Sequence, residues 1–220
     1  MSAYRLRAPL LAACALVAGL SASSSRAAAQ QQVEVTPFFT SYYAIAKLTE
    51  FTGDNGSTIS ERQANAPGLG ARISYALPGP LALEGSVAYV WSGTRVDVED
   101  RSGDPDAFNN SIGISGNLLY ASGRLRFTPR RSNLYLLAGG GIVKRGGKTW
   151  DLQGEKQLTS PMGVLGAGIR AQVTPSFGLD VSAEVNLYNT DPDKSGEDYK
   201  GKFQQDVLIT IGMPIRLGGR

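Results

Sequence analysis

Charged side chains of opposite sign recur at even spacing in this chain, and they are its most evident means of doing chemistry. Arg72 and Glu84 flank a Pro-Gly-Pro turn, Arg170, Asp180 and Glu184 flank a second proline-containing turn, Arg124 and Arg126 precede a third, and Arg216 stands near the end. Such groups can line an ion path, or can satisfy one another where water is excluded. Glu84 or Glu184 could also do acid–base work as one of a pair of carboxylates. Most other chemistry falls away. Histidine is absent (His 0), which removes Ser-His-Asp and Cys-His catalysis, imidazole zinc sites and the histidine pH switch. The single cysteine is Cys14. Asp191, Asp193 and Ser195 follow the opening of a calcium loop, but its twelfth position is Lys202 where a bidentate Glu is needed, so a solvated acidic loop with no metal is expected and weak divalent binding is the alternative. The acids Asp97, Glu99, Asp100, Asp104 and Asp106 could bridge through cations in the same weak way. Gly139 to Thr149 imitates a phosphate loop with Ile142 where the pattern needs Gly, and Gly166 to Ala171 imitates a dinucleotide fingerprint. Neither has the strand-turn-helix context of a nucleotide site, so no cofactor is expected.

The elements that must position these residues begin after an export segment. Lys and Arg number 22 and Asp and Glu 19, and the pI is near 9.0. Arg5, Arg7 and Arg26 fall in the first 29 residues, which hold no acid, so 22 less 3 leaves 19 basic against 19 acidic side chains over the remainder. A neutral remainder lacks the basic face that phosphate backbones require, and nucleic acid is not an expected partner. A cationic start, an apolar run from Ala8 to Leu20 and the triplet Ala27-Ala28-Ala29 read as a secretory signal peptide over residues 1–29, ahead of one domain over 30–220. Its apolar run is too short to span a bilayer. Leu11-Ala12-Ala13-Cys14 has lipobox order, but the apolar run continues past Cys14, so ordinary cleavage is expected and lipidation is not.

Beyond Gln30 the recurring pattern is alternation with period two, that of strands with one apolar face. Leu69, Ala71, Ile73, Tyr75 and Leu77 share a face before the turn at 78–80, and Leu81, Leu83, Gly85, Val87, Tyr89 and Trp91 share one after it. Counting outward pairs Tyr75 with Leu83 and Ser74 with Glu84, and sets Arg72 diagonal to Glu84. In a second hairpin a five-residue turn, 174–178, would pair Gln172 with Asp180 and place Arg170 between Asp180 and Glu184. Ile112 and Ile114 lie out of phase with Leu119, which predicts a bulge or slip near Leu118. With strands near 33–43, 134–144 and 207–217, the total is eight.

Short Pro-rich connections at 78–80, 128–133 and 174–178 alternate with long polar ones at about 47–67, 99–111, 145–161 and 189–204. That alternation suits a membrane barrel, with short periplasmic turns on one rim and long extracellular loops on the other. The fold class expected is therefore all-β, an eight-stranded antiparallel up-and-down transmembrane barrel. Its apolar faces meet lipid, and its polar faces, mixing Gly, Ala and Ser with paired charges, line a narrow lumen. Arg72, Glu84, Arg124, Arg126, Arg170, Asp180, Glu184 and Arg216 form the expected lumen network, serving charge satisfaction rather than conduction because eight strands leave an interior just filled by side chains. Tyr89, Trp91, Phe127 and Tyr135 stand near strand ends, where interfacial aromatics are expected.

Together with the signal peptide, the stretches "VEVTPFF", "YLLAGGGIV", "GAGIRAQVTPSFGLDVSAEV" and "LITIGMPIRL" resemble the small outer-membrane β-barrel superfamily of OmpA/OmpX type. Members typically finish on an aromatic read by the barrel-insertion machinery, whereas here Gly-Gly-Arg follows Leu217, and a peptidoglycan-binding domain after the barrel is not expected. The resemblance implies an outer-membrane location, the bilayer and the insertion machinery as partners, and a non-enzymatic structural or surface-interaction role through four long loops. Two alternatives are a lipid- or protein-modifying barrel enzyme, whose known examples rely on histidine, and a soluble secreted lipid-binding barrel with the apolar face inward.

Overall fold

A computed structural model describes residues 33–52, 58–99, 110–130, 132–147, 159–190 and 202–217. The expected signal peptide, with Cys14, lies outside them, as do Asp191, Asp193 and Ser195 of the calcium-like loop.

Strands β1 (Val33–Ala44), β4 (Ala66–Ala76), β5 (Leu81–Val90), β8 (Asn117–Phe127), β9 (Leu134–Gly146), β10 (Thr159–Thr174), β11 (Phe177–Thr190) and β12 (Lys202–Gly212) form one antiparallel sheet. A short β13 (Ile215–Leu217) continues the line of β12 after Met213-Pro214. Pairing of β1 with β12 and β13 joins the first stave to the last, so eight staves close on themselves in sequence order. Closure leaves no unpaired edge, the condition for polypeptide backbone to cross lipid as strands.

The alternation of residue types reappears as alternation of exposure. Phe39, Leu69, Leu83, Val87, Leu125, Leu136, Leu165, Ile169 and Ile211 are exposed on the outer face, while Glu34, Thr36, Phe38, Thr40 and Tyr42 of β1 point inward and are buried or nearly so. Leu179 to Leu187 carry this outer face along β11, a rise of about 21 Å for eight residues tilted near 40°. A girdle of apolar side chains of that height needs a lipid surrounding.

The turn between β4 and β5 follows the expected register, with Tyr75 opposite Leu83 and Ser74 opposite Glu84. Gly79 sits there at φ 89, a conformation that only glycine adopts at little cost. The β10–β11 turn departs from expectation. Pro175 and Ser176 alone make the connection, Thr174 pairs with Phe177, an irregularity follows at Val173, and Arg170 lies directly opposite Asp180. The tighter turn shifts the register by two residues, which leaves every side chain on its expected face.

The first two long connections also differ from open loops. Lys47–Thr52 (β2), Thr58–Gln63 (β3), Thr94–Glu99 (β6) and Asn110–Ile114 (β7) pair as a second antiparallel sheet in the order β2-β3-β6-β7. The phase change expected near Leu118 is a break at Ser115-Gly116, where the chain passes from this sheet into β8. Opposite it, a Cβ on Gly93 would lie 2.0 Å from the Ile114 carbonyl oxygen, so the two kinks are in contact and only glycine fits.

Lumen glycines make room for lumen rings. A Cβ on Gly70 would lie 2.3 Å from the Phe38 ring and 2.5 Å from the Val87 carbonyl oxygen. Gly70→Val is accordingly expected to destabilise the barrel by about 1–3 kcal/mol through overpacking, read from urea unfolding of refolded protein. An unchanged midpoint would show slack at that level of the lumen.

Candidate functional site

The interior holds two polar layers. Toward the short turns, Arg72 of β4 meets Glu184 at 2.7 Å, Asp180 at 3.2 Å and Glu84 at 3.9 Å. Arg124 of β8 meets Glu184 at 2.5 Å and Glu84 at 3.4 Å, and Arg126 meets Glu84 at 2.6 Å. Arg170 of β10 pairs with Asp180 at 2.8 Å and with Glu34 of β1, and Arg216 of β13 approaches Glu34 at 4.0 Å. All eight residues expected in the lumen network are thus brought together. Reading along single strands also places Glu34 on the polar face but does not reveal its role, since its partner Arg170 is 136 residues away and meets it only when the barrel closes.

Hydroxyls complete this layer. Ser74 donates to Glu84 at 2.9 Å, Tyr135 donates to Asp180 at 2.9 Å, and Ser182 and Thr210 share a hydrogen bond of 2.5 Å. Tyr135 is therefore not an interfacial aromatic. It is 2% exposed and lies between the guanidiniums of Arg126 and Arg170, at 5.7 and 5.8 Å from its ring centre. The pairing of Phe127 with Leu136 puts Leu136 on the lipid face, so its neighbour Tyr135 must point inward. With Tyr135 on β9, every stave contributes a side chain to the layer. Buried charges paired this densely lock the staves together, because any one left alone would be costly.

Toward the long loops, Asp206 of β12 accepts hydrogen bonds from three tyrosines: Tyr42 at 2.9 Å, Tyr120 at 2.7 Å and Tyr188 at 2.6 Å. Tyr42 also contacts Gln63 of β3 at 2.6 Å, which ties the second sheet to the barrel interior. Arg145 stacks over Tyr188 at 5.2 Å. The one advance signal for this layer is parity, since Tyr42 falls on the polar phase of the first strand. Leu118, Leu137, Val143, Val164 and Leu208 are buried in the same lumen.

Outside the barrel, Tyr89 and Trp91 stack edge to face at 5.6 Å near the long-loop end of β5, and both point outward. Phe127 points outward at the short-turn end of β8. In the second sheet Asp97 pairs with Arg62 at 3.2 Å and Arg95 at 2.8 Å. Gly139 and Gly141 lie within the β9 ladder, and Gly166 and Gly168 within that of β10, so these glycines are strand residues rather than parts of a phosphate-binding turn.

A family model described as "Outer membrane protein beta-barrel domain" matches residues 12–207. No curated protein matches the chain. Among solved structures, the outer membrane protein OprG from Pseudomonas aeruginosa is 12% identical with a TM-score of 0.50, over 86% of this chain and 97% of that one. Ail, the attachment invasion locus protein of Yersinia pestis, is 17% identical with a TM-score of 0.45, over 85% and 99%. At these identities the likeness concerns the fold alone.

Proposed function

We propose, from the premise that this chain belongs to the outer membrane protein beta-barrel family, that it acts without catalysis, as a structural barrel that presents a surface for interaction outside the cell. Its place is the outer membrane, and the bilayer surrounds its apolar girdle. In this reading residues 1–29 direct export, the insertion machinery assembles residues 30–220, and the long connections face the extracellular side.

The observation that carries the reading is the double closure of the lumen. A salt-bridged layer drawn from every stave and a tyrosine–aspartate layer above it leave side chains where a diffusion pore would need water. Of the two carboxylates considered for acid–base work, Glu184 has one oxygen on Arg72 and the other on Arg124, and Glu84 is held by Arg126 and Arg124, so both serve as ion-pair partners rather than as free bases. The second sheet then supplies an ordered surface outside the membrane.

Purified protein in planar bilayers is expected to give no stable large-conductance channel. A cysteine replacing the exposed Arg95 of β6 is expected to react with a membrane-impermeant maleimide on intact cells. Stable channels, or labelling of Arg95→Cys only after lysis, would overturn the proposal.

A further inference from the structure

We infer that the short-turn mouth of the barrel is a binding site for a small oxyanion, a carboxylate or phosphate group. A cavity of about 290 Å³ opens there, lined by Arg126, Arg170, Arg216, Glu34, Ser132 and Asn133 among others. Charge accounting over the salt-bridged layer leaves this mouth positive. Five guanidiniums (Arg72, Arg124, Arg126, Arg170, Arg216) face four carboxylates (Glu34, Glu84, Asp180, Glu184). Arg72, Arg124, Arg126 and Arg170 each have a carboxylate oxygen within 2.8 Å, whereas Arg216 has Glu34 at 4.0 Å and the Pro175 carbonyl oxygen at 3.4 Å. Its side chain is 37% exposed, against 1% for Arg72 and 0% for Arg124. The surplus cation is therefore the accessible one, and it stands beside two further guanidiniums and the Ser132 and Asn133 side chains.

Guanidinium forks match carboxylate and phosphate oxygens in geometry as well as charge. The cavity holds the volume of roughly ten waters at ~30 Å³ each, enough for inorganic phosphate or the carboxylate end of a short peptide. A phospholipid headgroup at the inner rim offers the same chemistry. The outer-membrane reading enters only in saying that this mouth faces the periplasm.

The test uses the refolded barrel in detergent micelles, with arginine side-chain Nε–H resonances followed while inorganic phosphate or acetate replaces chloride at constant ionic strength. Saturable shifts are expected at Arg216, Arg126 and Arg170, with Arg72 unmoved. Arg216→Gln should weaken binding by about tenfold, the loss of one charge-assisted contact. Asn133→Ala, on an exposed turn, should weaken it by about threefold and serves where Arg216→Gln fails to refold. Shifts that stay linear in concentration, or that chloride reproduces, would overturn the inference. Nanodiscs without free phosphate separate the sources: shifts with phosphatidylglycerol but not with phosphatidylcholine alone assign the site to a lipid headgroup. Heat-modifiable gel migration is read alongside, so a chain that is not a folded barrel is distinguished from a folded barrel with no anion site.

Discussion

Glu184→Gln is expected to destabilise the barrel by about 3–5 kcal/mol, the scale for removing one partner from a buried ion pair. Glutamine keeps the shape but not the charge, and Glu184 is the carboxylate that holds Arg72 at 2.7 Å and Arg124 at 2.5 Å. Both guanidiniums are shut off from solvent, so the uncompensated charge has no water to turn to. Arg124→Met added to Glu184→Gln is expected to recover part of the loss, because it removes a cation that has lost its main partner. Urea unfolding of refolded protein checks both. A loss below about 1 kcal/mol for the single variant, typical of a solvated pair, would mean that water reaches this layer, and the sealed lumen would fall with it.

Asp206→Ala is expected to cost about 2–6 kcal/mol, because it strands the hydroxyls of Tyr120 and Tyr188 in the lumen at about 1–3 kcal/mol for each unsatisfied group. Tyr42 retains Gln63 as an acceptor. Tyr120→Phe in the Asp206→Ala background should regain stability, since a ring without a hydroxyl has nothing left to satisfy. Through the contact between Tyr42 and Gln63, Asp206→Ala should also speed backbone hydrogen exchange in β3 relative to β10. Wild-type unfolding with unchanged exchange in β3 would show that this layer neither braces the barrel nor anchors the second sheet.

These two layers differ in how far they could be read in advance. Arg72, Glu84, Arg124, Arg126, Arg170, Asp180 and Glu184 declare themselves because each breaks an alternating run on its small-residue face, and alternation is a property of a single strand. Asp206 and its tyrosines do not, since tyrosine is apolar by body and polar by tip and suits either face. Tyr135 illustrates the cost of that ambiguity: its nearness to a turn suggested the lipid interface, and only the register against β8 turned it inward. The second sheet was illegible for another reason. Its strands are short, polar and broken from the barrel staves at 91–93 and 115–116, so their alternation restarts in a new phase that reads locally as a slip.

What the amino-acid order determined by itself was local: strands of period two, the face each charge occupies, and the alternation of short and long connections that calls for a barrel. Tertiary structure alone decided which charges meet between strands that are not joined in one hairpin. Closing eight tilted staves staggers each against the next, so contact between Glu34 and Arg170, or between Asp206 and Tyr120, depends on the shear of the whole sheet and not on any one strand. The opposed charges at even spacing therefore specify a lumen, and the closed barrel specifies which of them is left over at its mouth.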